Sequence, residues 1–356
     1  MNVIDKIDTW VIEKNNLKNE CFFLHTLYKN QKLKKNKINL VVIPYQNPQK
    51  NKIAINYFEV QNTQLIKLPN NNVYQEINFT NIISKNEYLS KIRDLKQQIQ
   101  LGNIYEINYC TQFKAVIKEL DVLTVFNNLV KLSNVPYNYL IKIKNEYILC
   151  CSPELFLKNE NNYLITKPIK GTIKRGNTID NDEELKTQLS NSVKDKVEHV
   201  MAVDVARNDL SVIAEKGSVK VDKLYAIESF KTVHQMVTTV NCQINNKINF
   251  ETIIDATFPM ASMTGAPKQS AMNLIDESEC FLRNYYSGTF GFVKPNGDFE
   301  LPVVIRSLFY NSETNELSFS VGGAITNLSN PEQELEECIL KAQTMLKAVN
   351  AKLIWD

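Results

Sequence analysis

The sequence predicts a single large α+β domain in which antiparallel sheets are flanked by helices. Its 356 residues are 44% hydrophobic and 22% charged, proportions near the globular average, so the chain can bury a large core. Neither a repeat architecture nor a long low-complexity linker divides it. We therefore expect one domain, with a strand-rich N-terminal portion over residues 1–85 and the core over residues 86–356.

The N-terminal portion is expected to consist of short strands and turns. Ile38–Pro44 and Ile53–Val60 have the apolar, β-branched character of strands. A helix is then expected over Asn86–Leu101, because apolar residues recur there at helical spacing and Gly102 stops the pattern. The recurring residues are Tyr88, Ile92, Leu95 and Ile99.

After Gly102, strands and helices are interspersed, and several strands are separated only by short polar turns. Strands are expected at Ile104–Phe113, Tyr139–Ile143, Glu146–Cys151, Leu155–Lys158, Asn162–Lys167, Gly217–Lys220, Ser229–His234, Val237–Ile244, Gly288–Val293, Glu300–Phe309 and Leu317–Val321. Helices are expected at Leu120–Leu132, Asp182–Arg207, Asn249–Ala256, Lys268–Glu277 and Pro331–Val349. The last helix has proline in its first turn and acidic residues early, as the helix dipole favours.

The charge balance and the cysteines limit the function classes. The 41 basic and 39 acidic residues leave a net charge of +2, which gives no support for nucleic-acid binding. No apolar run approaches the roughly 20 residues of a membrane helix, and the N-terminus lacks the apolar stretch of a secretory signal. The seven cysteines are scattered without a CxxC pair, which is typical of reduced thiols. We expect a cytoplasmic protein that contacts neither nucleic acid nor membrane.

Two predicted helices carry acidic pairs at matching spacing. Asp195 and Glu198 are three residues apart on one helix, and Glu334 and Glu337 are three apart on the last helix. Each pair projects from one helix face. Two such helices facing each other could hold Mg²⁺, which prefers oxygen ligands, although a solvated acidic face is the alternative from spacing alone.

Three glycine-containing segments could meet an anion. Lys167-Pro-Ile-Lys-Gly-Thr172 and Val321-Gly-Gly-Ala324 follow predicted strands, and Ser262-Met-Thr-Gly-Ala-Pro-Lys268 opens a predicted helix. None is a Walker A loop or a GxGxxG loop. Ordinary turn chemistry is therefore the alternative explanation for each of them.

Two rare side chains stand in apolar, strand-like runs. Arg306 lies in the predicted strand Val303–Leu308, where a guanidinium needs a carboxylate partner from the protein or from a ligand. His234 lies in Lys231-Thr-Val-His-Gln-Met236, where a satisfied core histidine is the alternative to a pocket residue. The sequence has no Ser-His-Asp arrangement with a nucleophile elbow.

The motifs are much more specific when they are taken together, in their order along the chain. They are Ser152-Pro-Glu-Leu155, Pro168-Ile-Lys-Gly-Thr172, Glu198-His-Val-Met-Ala-Val-Asp204, Arg207-Asn-Asp-Leu210, His234, Phe258-Pro-Met-Ala-Ser-Met-Thr-Gly-Ala-Pro-Lys268, Tyr286-Ser-Gly288, Ile305-Arg306, Gly322-Gly323, Pro331-Glu-Gln-Glu334, Glu337 and Lys341. This series resembles the chorismate-utilising enzymes, which include anthranilate synthase large subunits, aminodeoxychorismate synthase large subunits, isochorismate synthases and salicylate synthases. The resemblance covers Asn86–Val349, about three quarters of the chain.

The resemblance implies a Mg²⁺ site and a dianionic substrate, chorismate. Glu198 and Glu337 match the Mg²⁺ ligands of the family. Asp195 and Glu334 match the acids that hold metal-bound water. The metal in turn would grip the ring carboxylate of chorismate.

Other positions match residues that contact the substrate. Tyr286 and Arg306 match the pair that binds the enolpyruvyl carboxylate, which would satisfy the arginine. Glu154 matches the general acid that protonates the hydroxyl leaving ring carbon 4, and His234 matches a histidine of the same pocket. The remaining matches are Gly322, Gly323 and Lys341 near the ring carboxylate, and Thr264 and Gly265 in the substrate loop, Ser262–Lys268.

Lys170 decides which branch of the family the sequence resembles most. Anthranilate synthases carry alanine at this position and aminodeoxychorismate synthases typically carry lysine, so the resemblance is closest to component I of the latter. A neutral lysine amine could add to ring carbon 2 as carbon 4 loses its hydroxyl, and ammonia would then attack carbon 4. The expected product is 4-amino-4-deoxychorismate, a precursor of 4-aminobenzoate and folate. The alternative for Lys170 is a surface lysine in a lysine-rich chain.

Glu106 departs from the family pattern. Amino-transferring members usually have glutamine there, and isochorismate synthases have a lysine base, so a carboxylate fits neither group. Glu106 could orient Lys170 or ammonia, or alternatively activate water. Ala324 is a second departure, since it replaces a glycine that members often show.

The sequence carries no glutaminase signature, since no cysteine lies on a strand-turn-helix elbow followed by histidine and glutamate. Ammonia would therefore be free or come from a separate glutamine amidotransferase subunit. Anthranilate or isochorismate synthesis is the alternative activity, and a catalytically inactive scaffold subunit is the alternative from another class. The retained acids Glu154, Glu198 and Glu337 argue against an inactive scaffold, as does Arg306.

Overall fold

The computed structural model describes residues 7–15, 21–71, 76–230 and 233–356. Within these ranges lie seven α-helices. They are α1 (Lys85–Gln100), α2 (Val122–Ser133), α3 (Ile179–Asn191), α4 (Val193–Ser211), α5 (Phe250–Thr257), α6 (Lys268–Ser278) and α7 (Pro331–Ala348). None of these described helices combines the length and the apolar character needed to cross a bilayer.

The described strands number nineteen, and their pairings join them into one network. They are β1 (Thr9–Lys14), β2 (Phe22–Asn30), β3 (Asn39–Ile43), β4 (Asn56–Ile66), β5 (Ile77–Asn81), β6 (Glu106–Val116), β7 (Tyr137–Ile143), β8 (Glu146–Ser152), β9 (Leu155–Glu160), β10 (Tyr163–Thr166), β11 (Ile169–Lys174), β12 (Lys220–Ser229), β13 (Val233–Gln243), β14 (Gly265–Ala266), β15 (Thr289–Val293), β16 (Phe299–Pro302), β17 (Ser307–Asn311), β18 (Glu316–Ile325) and β19 (Ala351–Ile354). Neighbouring strands are antiparallel except for β5 and β19, which pair in parallel. The predicted α+β single domain is confirmed.

α1 and α7 begin where the sequence predicts, each behind a capping residue. Ser84 caps α1: its hydroxyl accepts a hydrogen bond from the Glu87 N–H, and the Glu87 carboxylate accepts one from the Ser84 N–H. Asn330 caps α7 by accepting a hydrogen bond from the Gln333 N–H, and Pro331 occupies the first turn. The caps satisfy N–H groups that have no partner inside the helix.

The prediction of one long helix over Asp182–Arg207 is wrong. The chain forms α3 and α4 there, separated at Ser192, whose backbone is extended. The Ser192 hydroxyl accepts a hydrogen bond from the Asp195 N–H and so caps α4. Because α4 starts at this point, Asp195 and Glu198 lie in its first two turns, close to the positive end of the helix dipole.

Two strand predictions near the C-terminus also need correction. The strand predicted over Glu300–Phe309 is two strands, β16 and β17, because Arg306 between them has a left-handed backbone with φ of 50°. The strand predicted over Leu317–Val321 continues to Ile325, so the Gly322-Gly323 pair lies inside β18 and not in a loop after it.

β6 and β18 form the central strand pair that positions the site. They pair without interruption from Val116 opposite Glu316 to Ile107 opposite Ile325. β14, from the substrate loop, pairs with the start of β6 and sets Ala266 opposite Glu106. α7 packs on β18, and α4 packs on β11 and β14. The elements β6, β11, β14, β18, α4 and α7, which carry many of the expected site residues, therefore form one group of contacting elements.

Aromatic side chains fill the core between this strand pair and the helices α1 and α7. The buried rings there contact one another in edge-to-face, stacked or tilted pairs. They belong to Tyr88, Tyr109, Phe113, Phe319 and Trp355. Close packing of these large rings opposes movement of β6 and β18, so the packing keeps the two strands in a fixed position.

Candidate active site

A buried ion pair joins Lys170 on β11 to Glu106 at the start of β6. Lys170 Nζ donates a hydrogen bond to Glu106 Oε1 at 2.7 Å, and the two side chains are only 10% and 3% exposed. An ordinary surface lysine would keep its ammonium group in solvent, because burying a charge costs free energy. The contact holds the Lys170 ammonium group against Glu106, and the catalytic role of Glu106 stays a prediction.

Two glycines allow the strands that carry this pair to approach their neighbours. A Cβ at Gly265 on β14 would collide with the Glu106 carbonyl oxygen, and the φ of Gly265 is 149°. A Cβ at Gly171, which has φ of 78°, would lie 3.0 Å from the Asp195 side chain. The glycines thus bring β14 against β6, and β11 against the start of α4.

Acidic neighbours keep the Lys170 amine protonated. Burial acts to lower the pKa of Lys170, but Glu106 raises it, with help from Glu198 and Glu154, so the pKa lies above its ordinary value. Desolvation alone does not leave the amine neutral. A nucleophilic role for Lys170 needs a proton acceptor, and the Glu106 carboxylate is in contact.

Glu154, just after β8, is placed as a proton donor. Burial raises the pKa of this carboxyl, although a hydrogen bond from Ser262 and the charge of Lys170 both oppose the shift. The Ser262 hydroxyl donates to Glu154 Oε1 at 2.8 Å, which fixes the carboxyl against the substrate loop. A carboxyl that retains its proton more tightly than usual is suited to general-acid catalysis.

Acidic side chains of α4 and α7 face each other, and two lysines lie among them. Lys194 Nζ lies 3.9 Å from Glu198 Oε1 on α4 and 3.6 Å from Glu334 Oε1 on α7. Lys341 Nζ lies 2.8 Å from Glu337 Oε1, one turn away on α7. The Lys194 ammonium group therefore faces one carboxylate of each helix, Glu198 and Glu334.

The chemistry of these donors fits a magnesium ion. Within the described ranges, no three acidic, histidine or cysteine side chains are grouped closely enough to hold a metal. Glu198 nevertheless has a buried Oε1 without a hydrogen-bond partner among the described residues, and burial raises the pKa of this carboxyl to about 7. A carboxylate oxygen that accepts no hydrogen bond is the type of ligand that Mg²⁺ binds. Asp195 lies one turn before Glu198, beside Gly171.

The two glycines of β18 allow close approach on opposite sides, Gly322 to Cys110 on β6 and Gly323 to the acids of α7. A Cβ at Gly323 would stand 3.1 Å from Glu334 Oε2 and 3.8 Å from Lys341 Nζ. Lys341 donates a hydrogen bond to the Gly322 carbonyl at 2.7 Å. Burial acts to lower the pKa of Lys341, but Glu337 raises it, so the ammonium form is favoured. The Lys341 ammonium group near Gly323 is suited to face a carboxylate of a substrate.

Arg306 differs from the other arginines in forming no ion pair with any described residue. Arg93, Arg175, Arg207 and Arg283 each form an ion pair. Arg306 forms none with the described residues, and burial lowers the pKa of its guanidinium. The internal salt-bridge alternative is therefore not found, and an anionic ligand would supply the missing partner.

Tyr286 lies beside the segment that carries Arg306. The next residue, Ser287, donates its N–H to the Val304 carbonyl at 2.9 Å, which aligns the two segments. Tyr286 is buried, its hydroxyl lies 3.8 Å from the Cys110 thiol, and burial raises its pKa well above the ordinary value. Its phenol therefore stays protonated and can donate a hydrogen bond.

Arg283, which the sequence motifs did not single out, ties two segments of the site together. Its guanidinium donates to the Met263 carbonyl in the substrate loop and to the Asn108 carbonyl on β6, each at 2.7 Å. Glu279 accepts two more hydrogen bonds, and Ser287 accepts another. All five N–H groups of the side chain are thus engaged. The sequence offered one indication of its importance: arginine is rare in this chain, in which lysine greatly outnumbers it.

Two expected pocket residues make their hydrogen bonds elsewhere. His234 Nε2 lies 3.0 Å from Asp182 on α3, and its Nδ1 lies 2.8 Å from the Ser229 hydroxyl. The Arg175 guanidinium holds the pKa of Asp182 well below its usual range. Thr264 is fully buried, and its hydroxyl donates to two carbonyls of the preceding turn. The roles of His234 and Thr264 towards a substrate stay predictions.

Comparison with known proteins identifies the family of the chain. A sequence model of the chorismate-binding enzymes matches residues 11–347. The chain belongs to this family. The match includes β6, β11, β18, α4 and α7, so every element that carries the candidate site lies inside the family domain.

Curated relatives within the chorismate-binding enzymes come from two branches. The chain is 40% identical over 269 residues to the chloroplastic aminodeoxychorismate synthase of Arabidopsis thaliana, covering 75% of this chain and 29% of the relative. It is 34% identical over 270 residues to anthranilate synthase component 1 of Saccharolobus solfataricus, covering 76% of this chain and 63% of the relative. The chain thus spans less than two thirds of the length of either relative.

The family fold is shared with solved structures of distant sequence. The menaquinone-specific isochorismate synthase of Escherichia coli superimposes with a TM-score of 0.77 at 14% identity, over 98% of this chain and 91% of that one. This likeness concerns the fold alone. Within the chorismate-binding enzymes, the branch is therefore argued from the site residues.

Proposed function

We propose that the chain is the synthase component of an aminodeoxychorismate synthase, which converts chorismate and ammonia to 4-amino-4-deoxychorismate. The observation that carries the proposal is the buried contact between Lys170 and Glu106 at 2.7 Å. This contact places the Lys170 amine beside a proton acceptor, the Glu106 carboxylate. Glu154, whose pKa is raised by burial, is the proton donor. The plant relative named aminodeoxychorismate synthase supports the same branch.

In the first step, Glu106 takes a proton from Lys170 Nζ, and the freed amine attacks ring carbon 2. The double bonds of the ring shift towards carbon 4, and the bond from carbon 4 to its hydroxyl breaks. Glu154 gives its proton to that hydroxyl, which leaves as water. Nζ then holds the ring as a secondary ammonium group.

In the second step, ammonia attacks carbon 4, the double bonds shift back, and the bond between carbon 2 and Nζ breaks. Glu154, now a carboxylate, takes a proton from the new ammonium group, and Lys170 regains its proton from Glu106. Ammonia is either free or delivered by a separate glutamine amidotransferase subunit. The name "component 1" of the Saccharolobus relative is consistent with a protein that works with a second component.

Magnesium is part of the same proposal. Glu198 and Glu337 would hold the ion, and Asp195 and Glu334 would hold its water. The Glu198 oxygen that accepts no hydrogen bond supports this set. The ion, when bound, offsets the negative charge of the ring carboxylate, while Lys341 borders the same space.

The purified chain, supplied with chorismate, Mg²⁺ and ammonium, is expected to form 4-amino-4-deoxychorismate. Chromatography with mass spectrometry separates this product from anthranilate, which has lost the pyruvyl group, and from isochorismate, which has the mass of chorismate. Omission of ammonium is the control and should stop amine formation. Anthranilate or isochorismate as the main product would assign the chain to another branch, and unconsumed chorismate would favour an inactive scaffold.

Replacement of Arg306 by lysine is expected to raise the KM for chorismate about tenfold or more, with a smaller change in kcat. A guanidinium binds a carboxylate through two parallel hydrogen bonds, whereas an ammonium group cannot. One charge-assisted hydrogen bond is worth about 1.5–3 kcal/mol. Steady-state kinetics measure the change, with the exposed Arg207→Lys as the matched control. An unchanged KM would leave Arg306 a structural role only.

A further inference from the structure

Lys194 occupies the space between the two helices that carry the candidate metal ligands. Its Nζ lies 3.9 Å from Glu198 Oε1 and 3.6 Å from Glu334 Oε1, so one ammonium group faces acids of both helices. Lys194 lies in the first turn of α4, where the helix dipole disfavours a positive charge. The acids, and not the helix, therefore account for its position.

The carboxylates that Lys194 faces need a positive partner. Glu198 and Glu334 are both buried, and a buried carboxylate is costly unless it is paired. Lys341 pairs with Glu337 in a similar way, with its Nζ 2.8 Å from Glu337 Oε1. The two ammonium groups thus balance much of the charge of three carboxylates without a metal ion. A lysine-rich composition explains the presence of a lysine at this position but not its contacts with both helices.

We propose that Lys194 competes with a divalent cation for Glu198 and Glu334. The inference rests on the magnesium assignment in the proposed function. A cation that takes the carboxylate oxygens must replace the ammonium group, because two cations beside the same carboxylates repel each other. The Lys194 side chain is 43% exposed and can swing into solvent when it is displaced. Lys194 therefore sets how tightly the protein binds its metal.

Metal binding measured without chorismate tests this competition. Mn²⁺ binding is followed by electron paramagnetic resonance, and Mg²⁺ binding by calorimetry, for the wild type and for Lys194→Met, which keeps the length and removes the charge. We expect Lys194→Met to bind both ions about tenfold more tightly at low ionic strength, with added salt narrowing the difference because screening weakens the repulsion. Lys194→Arg should stay close to the wild type. Lys186→Met on α3, where the lysine pairs with the exposed Glu183, is the matched control.

Glu198→Gln separates this inference from the metal assignment itself. If Glu198→Gln weakens Mn²⁺ binding while Lys194→Met binds as the wild type does, or more weakly, the competition is refuted and the metal site stands. If neither the wild type nor Lys194→Met binds more Mn²⁺ than Glu198→Gln, both ideas are refuted. The product assay of the proposed function is read independently, since it uses the wild-type chain.

Discussion

Replacement of Lys170 by alanine is expected to slow the formation of 4-amino-4-deoxychorismate about a hundredfold or more. The change removes the amine proposed to add to ring carbon 2. Ammonia or water can then reach that carbon, so traces of anthranilate or isochorismate are expected beside the residual product. Chromatographic rates measure the effect, and Lys174→Ala, exposed on the same strand, is the matched control.

Loss of Lys170 also leaves Glu106 buried without its partner, which lowers stability. Thermal unfolding of the variant therefore accompanies the rate measurement. If Lys170→Ala unfolds too easily, the double variant with Glu106→Gln removes the unpaired carboxylate and keeps the test valid.

A covalent adduct on Lys170 provides an independent measurement of the same mechanism. Wild-type protein with chorismate and Mg²⁺ but no ammonia should accumulate a peptide heavier by chorismate less one water. Proteolysis and mass spectrometry should place this mass on the peptide that contains Lys170. Undiminished product formation by Lys170→Ala, with no adduct on the wild type, would contradict the covalent route and leave Lys170 as a positioning charge.

Replacement of Glu198 by glutamine is expected to lower the magnesium-dependent rate about a hundredfold while the fold survives. Glutamine has nearly the same volume but lacks the anionic oxygens that a hard cation prefers. Burial raises the pKa of Glu198 to about 7, which means that its charged form is unfavourable in the folded protein. The neutral amide is therefore expected to leave the Tm unchanged or higher.

Several controls bear on the metal assignment. Glu337→Gln should lower the rate as Glu198→Gln does, whereas Asp204→Asn, exposed on α4, should not. A chelator should abolish wild-type turnover, and excess Mg²⁺ should restore it. Normal turnover by Glu198→Gln, or activity that persists in the chelator, would show that the acids of α4 and α7 do not hold a catalytic metal.

Periodicity predicted the starts of several helices well, but it missed the break at Ser192. α1 and α7 start at or within one residue of their predicted positions. Around Ser192, apolar residues keep helical spacing on both sides, so spacing alone does not reveal the break. The local chemistry did carry the signal, because a serine followed three residues later by an acid is an N-terminal capping pattern.

Backbone conformation and long-range contacts account for what the sequence left open at the site. The left-handed backbone of Arg306 interrupts a run whose apolar pattern continues on both sides. Lys170 and Glu106 are 64 positions apart, so their contact depends on how β11 and β6 are brought together. Arg283 escaped notice because two of its acceptors are main-chain carbonyls, which every residue type provides.

The hydrogen bonds from Arg283 to main-chain carbonyls affect which substitutions the site can accept. Its bonds to the carbonyls of Asn108 and Met263 do not depend on the side chains at those positions. Glu106, two residues before Asn108 on β6, can be exchanged without removing either of these bonds. The main-chain arrangement at the start of β6 can thus be kept while the side chain at position 106 changes.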